Sequence, residues 1–147
     1  MTLLRLAIFA VIVGGGIIGY IFRDRLNGSA GELRVGDCFE LPSAQEVKDV
    51  QHRPCTEPHG GEVYAVLKFP DQASFPTDDQ FDSFFMQQCV SLRFSDYVGR
   101  PYDESAAIEP NFFVPVEKGW AKGDRDVTCF LRLNTGSPMT GSFKRPA

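Results

Sequence analysis

Glu62 to Tyr97 reads EVYAVLKFPDQASFPTDDQFDSFFMQQCVSLRFSDY, and this stretch decides the fold because it sets a strand signal directly before a helix signal. Glu62 to Phe69 is rich in β-branched and aromatic residues and is bounded by Gly61 and Pro70, which predicts a strand. Thr77-Asp78-Asp79-Gln80 is a capping-box pattern: Thr77 can accept from the third helical amide while Gln80 reaches back, so a helix starts there. Phe81, Phe84, Phe85, Cys89 and Leu92 follow at spacings of three and four, giving one apolar stripe, with Asp82, Gln87 and Ser91 facing outward. The helix is expected to end near Phe94 to Tyr97, since Gly99 and Pro101 prevent its continuation. Asp78 and Asp79 favour the positive end of that helix rather than catalysis.

Outward from this stretch the signals are extended. Leu33 to Leu41, LRVGDCFEL, puts Leu33, Val35, Asp37, Phe39 and Leu41 on one face, a period-two strand pattern. Val47 to Gln51 is a candidate partner for it, ahead of the turn-rich stretch from Arg53 to Gly61. Ile108 to Val116 is extended, but Pro110 and Pro115 lack amide donors and suit an edge strand or loop. Asp126 to Leu133 alternates Val127, Cys129, Leu131 and Leu133 against Thr128, Phe130 and Arg132, the pattern of a half-buried strand. Strands, one substantial helix and strands again predict an α+β domain, a small antiparallel sheet with one main helix packed on it.

Four cysteines, Cys38, Cys55, Cys89 and Cys129, allow three pairings. Periodicity favours Cys89 with Cys129, from the helix stripe to the inward strand face, and that leaves Cys38 with Cys55. Separations of 17, 34 and 40 residues do not match the C-x-x-C clusters of zinc or thiol-oxidoreductase sites, so structural disulfides are expected. Bridged cysteines in turn place the domain in an oxidising compartment.

Leu6 to Phe22, LAIFAVIVGGGIIGYIF, is an almost unbroken apolar run. Its helical length is about 25 Å, and Leu3, Leu4 and a snorkelling Arg5 bring it near the roughly 30 Å of a bilayer core. A cleaved signal peptide is the competing reading, with Gly28 and Ala30 at suitable offsets, but Arg23-Asp24-Arg25 intervenes before any such site. Charge flanking the run does not choose an orientation, so the cysteines decide it, with the amino terminus cytoplasmic and the remainder extracytoplasmic. The expected organisation is an anchor over 1–26, a linker over 27–32, one domain over 33–136 and an exposed tail over 137–147. Gly15 and Gly19 form a G-x-x-x-G pattern that lets two membrane helices approach closely, a route to a homo-oligomer, although glycine is common in membrane helices generally. Net charge is −4 with basic residues scattered, which does not fit a nucleic-acid partner, and thirteen phenylalanines point to an aromatic core.

Several segments taken together carry a resemblance. Leu33-Arg34-Val35-Gly36-Asp37-Cys38-Phe39 is followed by Cys55-Thr56-Glu57-Pro58-His59 leading into Glu62-Val63-Tyr64. Later come Cys89 in a helix, Trp120 with Gly123-Asp124-Arg125, Cys129, and Thr140-Gly141-Ser142. In this order they resemble the septum-formation domain family of membrane-anchored bacterial envelope proteins, over roughly residues 33 to 142. The resemblance implies a setting in cell division and the envelope, without defining a reaction.

The chemistry-bearing residues admit more than one role. His59, Glu57 and Glu62 offer an acid/base or metal cluster, yet a histidine in a turn after a bridged cysteine ordinarily satisfies backbone groups, and no second histidine stands in a matching motif. Trp120, Asp124 and Arg125 offer a recognition surface, or a turn in which Asp124 and Arg125 pair while Trp120 caps the core. No catalytic residue, metal ligand or cofactor is assigned, because nucleophile-elbow, phosphate-loop and zincin motifs are missing from the sequence. The expected function is that of a non-enzymatic, single-pass membrane protein acting through a protein partner in an envelope or septum-formation assembly. The alternative is an extracytoplasmic binding module for a small molecule or envelope polymer; for either reading the candidate binding residues are His59, Glu62, Trp120, Asp124 and Arg125.

Overall fold

A computed structural model describes residues 27–42, 49–104 and 106–146. The expected membrane helix, with Gly15 and Gly19, and the Val47 end of the second strand signal lie outside the described residues. Among the described residues no helix is long and apolar enough to cross a membrane.

The strands are β1 (Asn27–Ser29), β2 (Cys38–Phe39), β3 (Asp49–Arg53), β4 (Gly61–Lys68), β5 (Ile108–Phe113) and β6 (Asp126–Leu133). They hydrogen-bond in the order β1-β3-β2-β4-β6-β5, all antiparallel. Five of them form the sheet proper, and the short β1 lies along the outer side of β3, pairing Gly28 with Val50. Residues 27–32, expected as a linker, thus form β1 and a 3-10 turn over Ala30–Glu32, which occupies an edge whose backbone groups would otherwise be unpaired. The long strand signal over Leu33 to Leu41 contracts to two ladder residues. Gly36 takes a φ of 93° in a turn just before them, where its amide bonds to the Val63 carbonyl.

The two strongest strand signals become the two central strands. β4 and β6 pair from Glu62 opposite Leu131 to Lys68 opposite Asp126, with a bulge between Val63 and Ala65. That extra residue lets Tyr64 and Ala65 both join the helix-side core, which strict alternation forbids. β5 is the edge strand beyond β6, and Pro110 sits there at no cost to a further ladder.

The capping box is present: the Thr77 hydroxyl accepts from the Gln80 amide at 3.4 Å, and the Gln80 side chain accepts from the Thr77 amide at 2.9 Å. α1 (Asp78–Phe84) follows, then a π-helical segment over Phe85–Phe94, then α2 (Ser95–Val98), which Gly99 ends with a φ of 83°. The π segment corrects the expected stripe. Leu92, placed inward by an α-helical period, is 52% exposed, whereas Phe94 is 1% exposed. Bonding from i to i+5 widens each turn, so Cys89 and Phe94, five apart, share the face that Cys89 and Leu92 were expected to share. The Ser91 hydroxyl donates to the Met86 carbonyl at 2.8 Å with the same spacing of five.

This helix buries Phe81, Cys89, Phe94 and Tyr97 against Tyr64, Ala65, Val127, Cys129 and Leu131 of the sheet. α3 (Glu117–Trp120) closes one end of that core, with Trp120 edge-on to Phe69 at 5.9 Å and to Phe75 at 6.0 Å. Each such ring, fully buried, stabilises the fold by about 1.5–3 kcal/mol. The opposite sheet face is covered too. Phe39, Val50, Val63 and Phe130 pack with Leu33, and Phe39, Phe113 and Phe130 form a ring trio with centroids 4.5 to 5.7 Å apart. β6 is therefore buried on both faces, not half-buried as its alternation implies: its outward-predicted Thr128 and Phe130 are only 3% exposed each. The reason is that Leu33, Phe39 and Val50, from the segment before β2 and from β2 and β3, cluster with Phe130 on that face, and no period in β6 itself carries that information.

Both disulfides are present, Cys38–Cys55 and Cys89–Cys129, the pairing that periodicity favours.

Candidate functional site

Polar side chains converge on the seam where β2 meets β4. Glu62 is the second residue of β4, opposite Cys38 on one side and Leu131 on the other, so its side chain starts from the middle of the sheet. It has no exposed surface, and burying a carboxylate is costly unless donors surround it. Three donors do. The Tyr97 hydroxyl donates at 2.7 Å, the Phe143 amide at 2.8 Å, and the Ser142 hydroxyl also donates. Tyr97 comes from the last turn of the helix, while Ser142 and Phe143 come from the C-terminal segment, so one carboxylate fastens three distant parts of the chain. Burial, and next the hydrogen bond to Glu62, push the Tyr97 phenol well above its ordinary range, and burial does the same to Tyr64.

His59 lies three residues before Glu62 and is 1% exposed. Its amide donates to the Met139 carbonyl at 2.9 Å and its carbonyl accepts from the Met139 amide at 2.8 Å, an isolated antiparallel bridge. Its Nδ1 donates to the Glu57 carbonyl at 2.8 Å, while Nε2 has no hydrogen-bond partner among the described residues. A ring nitrogen of His59, a Glu62 oxygen and Cys38 Sγ all lie within 4.8 Å of one another. Of the cluster His59, Glu57 and Glu62 expected from sequence, His59 and Glu62 are thus brought together, but in the interior: Glu62 is held by Tyr97, Ser142 and Phe143, and His59 bonds the backbone.

The same contacts define the C-terminal segment. In the expected exposed tail over 137–147, the described residues 137–146 keep most side chains at the surface, but Met139 is 5% exposed. The Gly141 amide donates to the Cys55 carbonyl at 2.7 Å and the Arg145 amide to the Tyr97 carbonyl at 2.8 Å.

The second candidate group lies elsewhere, around α3. Arg125 stacks over the Trp120 ring at 3.6 Å and donates to the Trp120 and Asp124 carbonyls at 2.7 and 2.8 Å. Its carboxylate partner is Asp71, with Nη2 at 2.9 Å, in place of the expected Asp124. Asp124 instead accepts from the Asp126 amide at 3.0 Å, and Gly123, with a φ of 93°, closes the turn. Trp120 caps the core, as the turn reading has it. A shallow surface hollow of about 440 Å³ lies beside Asp71, Gln72, Trp120 and Arg125.

Tyr97 and Ser142 are the residues that sequence reasoning missed. Their separations of 35 and 80 residues from Glu62 leave no local pattern, although Ser142 lies in the late Thr140-Gly141-Ser142 segment of the resemblance.

A family model described as septum formation matches residues 35–145. The match contains both disulfides, both candidate groups and the fastened C-terminal segment. No curated protein and no solved structure matches the chain.

Proposed function

The chain belongs to the septum formation family, and from that premise we propose that it is a non-enzymatic, membrane-anchored extracytoplasmic protein that works by binding a protein partner in an envelope or septum-forming assembly. Membership points to a cell-division-related role at the envelope. The observation that carries the rest is the engagement of Glu62. The residue best suited to acid/base work is fully buried and holds the C-terminal segment and the helix end to the sheet, which is a scaffold's use of a carboxylate. Two disulfides support an oxidising compartment, and the apolar run Leu6 to Phe22 supports an anchor. On the helix, Met86 and Leu92 are 53% and 52% exposed, side chains that a protein contact would cover. The hollow beside Trp120 and Arg125 favours the second reading, a module for a small molecule or envelope polymer.

Quantitative co-purification from native membranes tests the proposal, comparing the full chain with a Gly15→Leu, Gly19→Leu variant. A defined membrane partner is expected with the native sequence. Its loss in the variant would put the membrane helix in the interface, and its retention would assign recognition to the exported domain. No enriched partner in either sample would sink the proposal in favour of ligand binding.

A further inference from the structure

We propose that the Cys38–Cys55 pair, once reduced, forms a zinc site with His59 and Glu62, so that one pocket holds either a disulfide or a zinc ion. The Glu57 carbonyl can only accept, so the proton of the neutral His59 ring is on Nδ1 and the lone pair is on Nε2. That lone pair belongs to a residue 1% exposed and has no hydrogen-bond partner among the described residues, an arrangement that ordinarily costs stability. An imidazole whose Nδ1–H is fixed by a backbone carbonyl is oriented and tautomerically set as a metal-binding histidine is.

The other ligands stand beside it. Cys38 Sγ and a Glu62 oxygen lie within 4.8 Å of a His59 nitrogen and of each other, and the Cys55 sulfur is bonded to that of Cys38. Two sulfurs, one nitrogen and one oxygen are a donor set that zinc accepts in a tetrahedron. Bonds of about 2.0–2.3 Å place tetrahedral ligands about 3.5 Å apart, so the set must close by about 1 Å, a movement that opening the S–S bond allows. Glu62 keeps capacity for this. Its Oε1 accepts from Tyr97 and Ser142, but among the described residues Oε2 accepts from the Phe143 amide alone. Among the described residues Cys89–Cys129 has no such surroundings, since it belongs to the buried cluster with Tyr64, Phe94, Val127 and Leu131.

The conversion balances with a dithiol as reductant. One of its thiolates attacks the half-buried Cys55 sulfur, while Cys38, at 2% exposed, leaves as the thiolate. The second thiol of the reductant resolves the mixed disulfide, so two electrons pass to the cysteine pair and the reductant becomes a cyclic disulfide. Zinc then binds two thiolates, displacing the two thiol protons, and a small-molecule disulfide that takes up the two electrons and becomes the dithiol reverses the exchange with release of the ion. The exposed Thr56 and Pro58 flank the entry at Cys55.

The test uses the full chain in detergent, reduced by a phosphine that is then removed, with zinc chloride as the probe. About one zinc ion per chain is expected in the reduced form and none in the oxidised form. Cobalt in place of zinc should give the intense visible bands of a tetrahedral site together with thiolate charge transfer. Zinc should slow alkylation of Cys38 and Cys55 and leave that of Cys89 and Cys129 unchanged, a readout that needs no variant. His59→Gln should weaken zinc binding at least about tenfold. A reduced chain that retains no zinc, folded or not, overturns the proposal, as does equal shielding of Cys89 and Cys129.

Discussion

Cys89–Cys129 and Cys38–Cys55 span 40 and 17 residues of one chain and join the same sheet, yet their surroundings differ in kind. The first has both cysteines fully buried in the aromatic core between helix and sheet, where sulfur packs as a hydrophobe. The second has one buried and one half-buried cysteine, beside a carboxylate and an imidazole, and the C-terminal segment bonds across it through Gly141. The contrast teaches that one bridge fixes a packing face and the other closes a polar seam, so removing each should have different consequences.

The largest expected effect is at the core bridge. Cys89→Ala with Cys129→Ala should cost about 4 kcal/mol for the lost 40-residue closure and about 1 kcal/mol more for the cavity. Guanidinium unfolding of the full chain measures it. A loss no greater than that of the other pair would break the distinction between packed and seam bridges. Cys38→Ala with Cys55→Ala should cost less, about 3 kcal/mol for 17 residues, because no aromatic packing is lost with it. Hydrogen exchange sharpens the point: amides of Gly141 and Phe143 should lose protection in this variant, and in the core variant they should keep it until global unfolding.

Next in size is the polar seam itself. Tyr97→Phe removes one of three donors to a buried carboxylate and should cost about 1–2 kcal/mol. It also carries a pH signature. Burial, and then Glu62, raise the phenol's pKa in the folded state, so its stabilising contribution is complete below the unfolded value near 10. Above that pH the unfolded chain releases the proton and the folded chain keeps it, so stability falls as pH rises toward the folded value. Tyr64 behaves likewise, and each tyrosine contributes a slope of up to about 1.4 kcal/mol per pH unit. Tyr97→Phe should lower the alkaline slope by one tyrosine's share. An unchanged slope would mean that Tyr97 titrates in the folded protein as freely as in the unfolded one.

Legibility in the sequence divides along the same line as the two bridges. The core bridge could be read because both of its cysteines lie on periodic elements, Cys89 on a helical stripe and Cys129 on an alternating strand, so each had a direction. The start of the helix was legible for the same local reason, as Thr77 and Gln80 satisfy each other's backbone amides within one turn. The seam could not be read in this way. Glu62 looked like a candidate acid only because its donors, Tyr97 and Ser142, lie 35 and 80 residues away, and a carboxylate's role depends on who donates to it. His59 bonds backbone through its ring, as a histidine in such a turn ordinarily does, but its partnership with Met139 joins two segments without any period.

The smallest effect concerns the register of the helix that carries the core bridge. An α-helical period would bring Leu92 inward with Cys89, and Leu92→Ser would then leave a cavity beside the disulfide. The π segment turns Leu92 outward and brings Phe94 in its place, against Tyr64 at 6.2 Å and Tyr102 at 5.4 Å. Leu92→Ser should accordingly change stability by no more than about 0.5 kcal/mol, as surface substitutions do. A loss of about 2 kcal/mol or more would restore the α-helical register and place Leu92 in the packing around Cys89. A near-zero value measured on the soluble transition, combined with loss of a co-purified partner, would instead assign Leu92 to the contact surface that the proposed function requires, because the side chain would then matter only when something covers it.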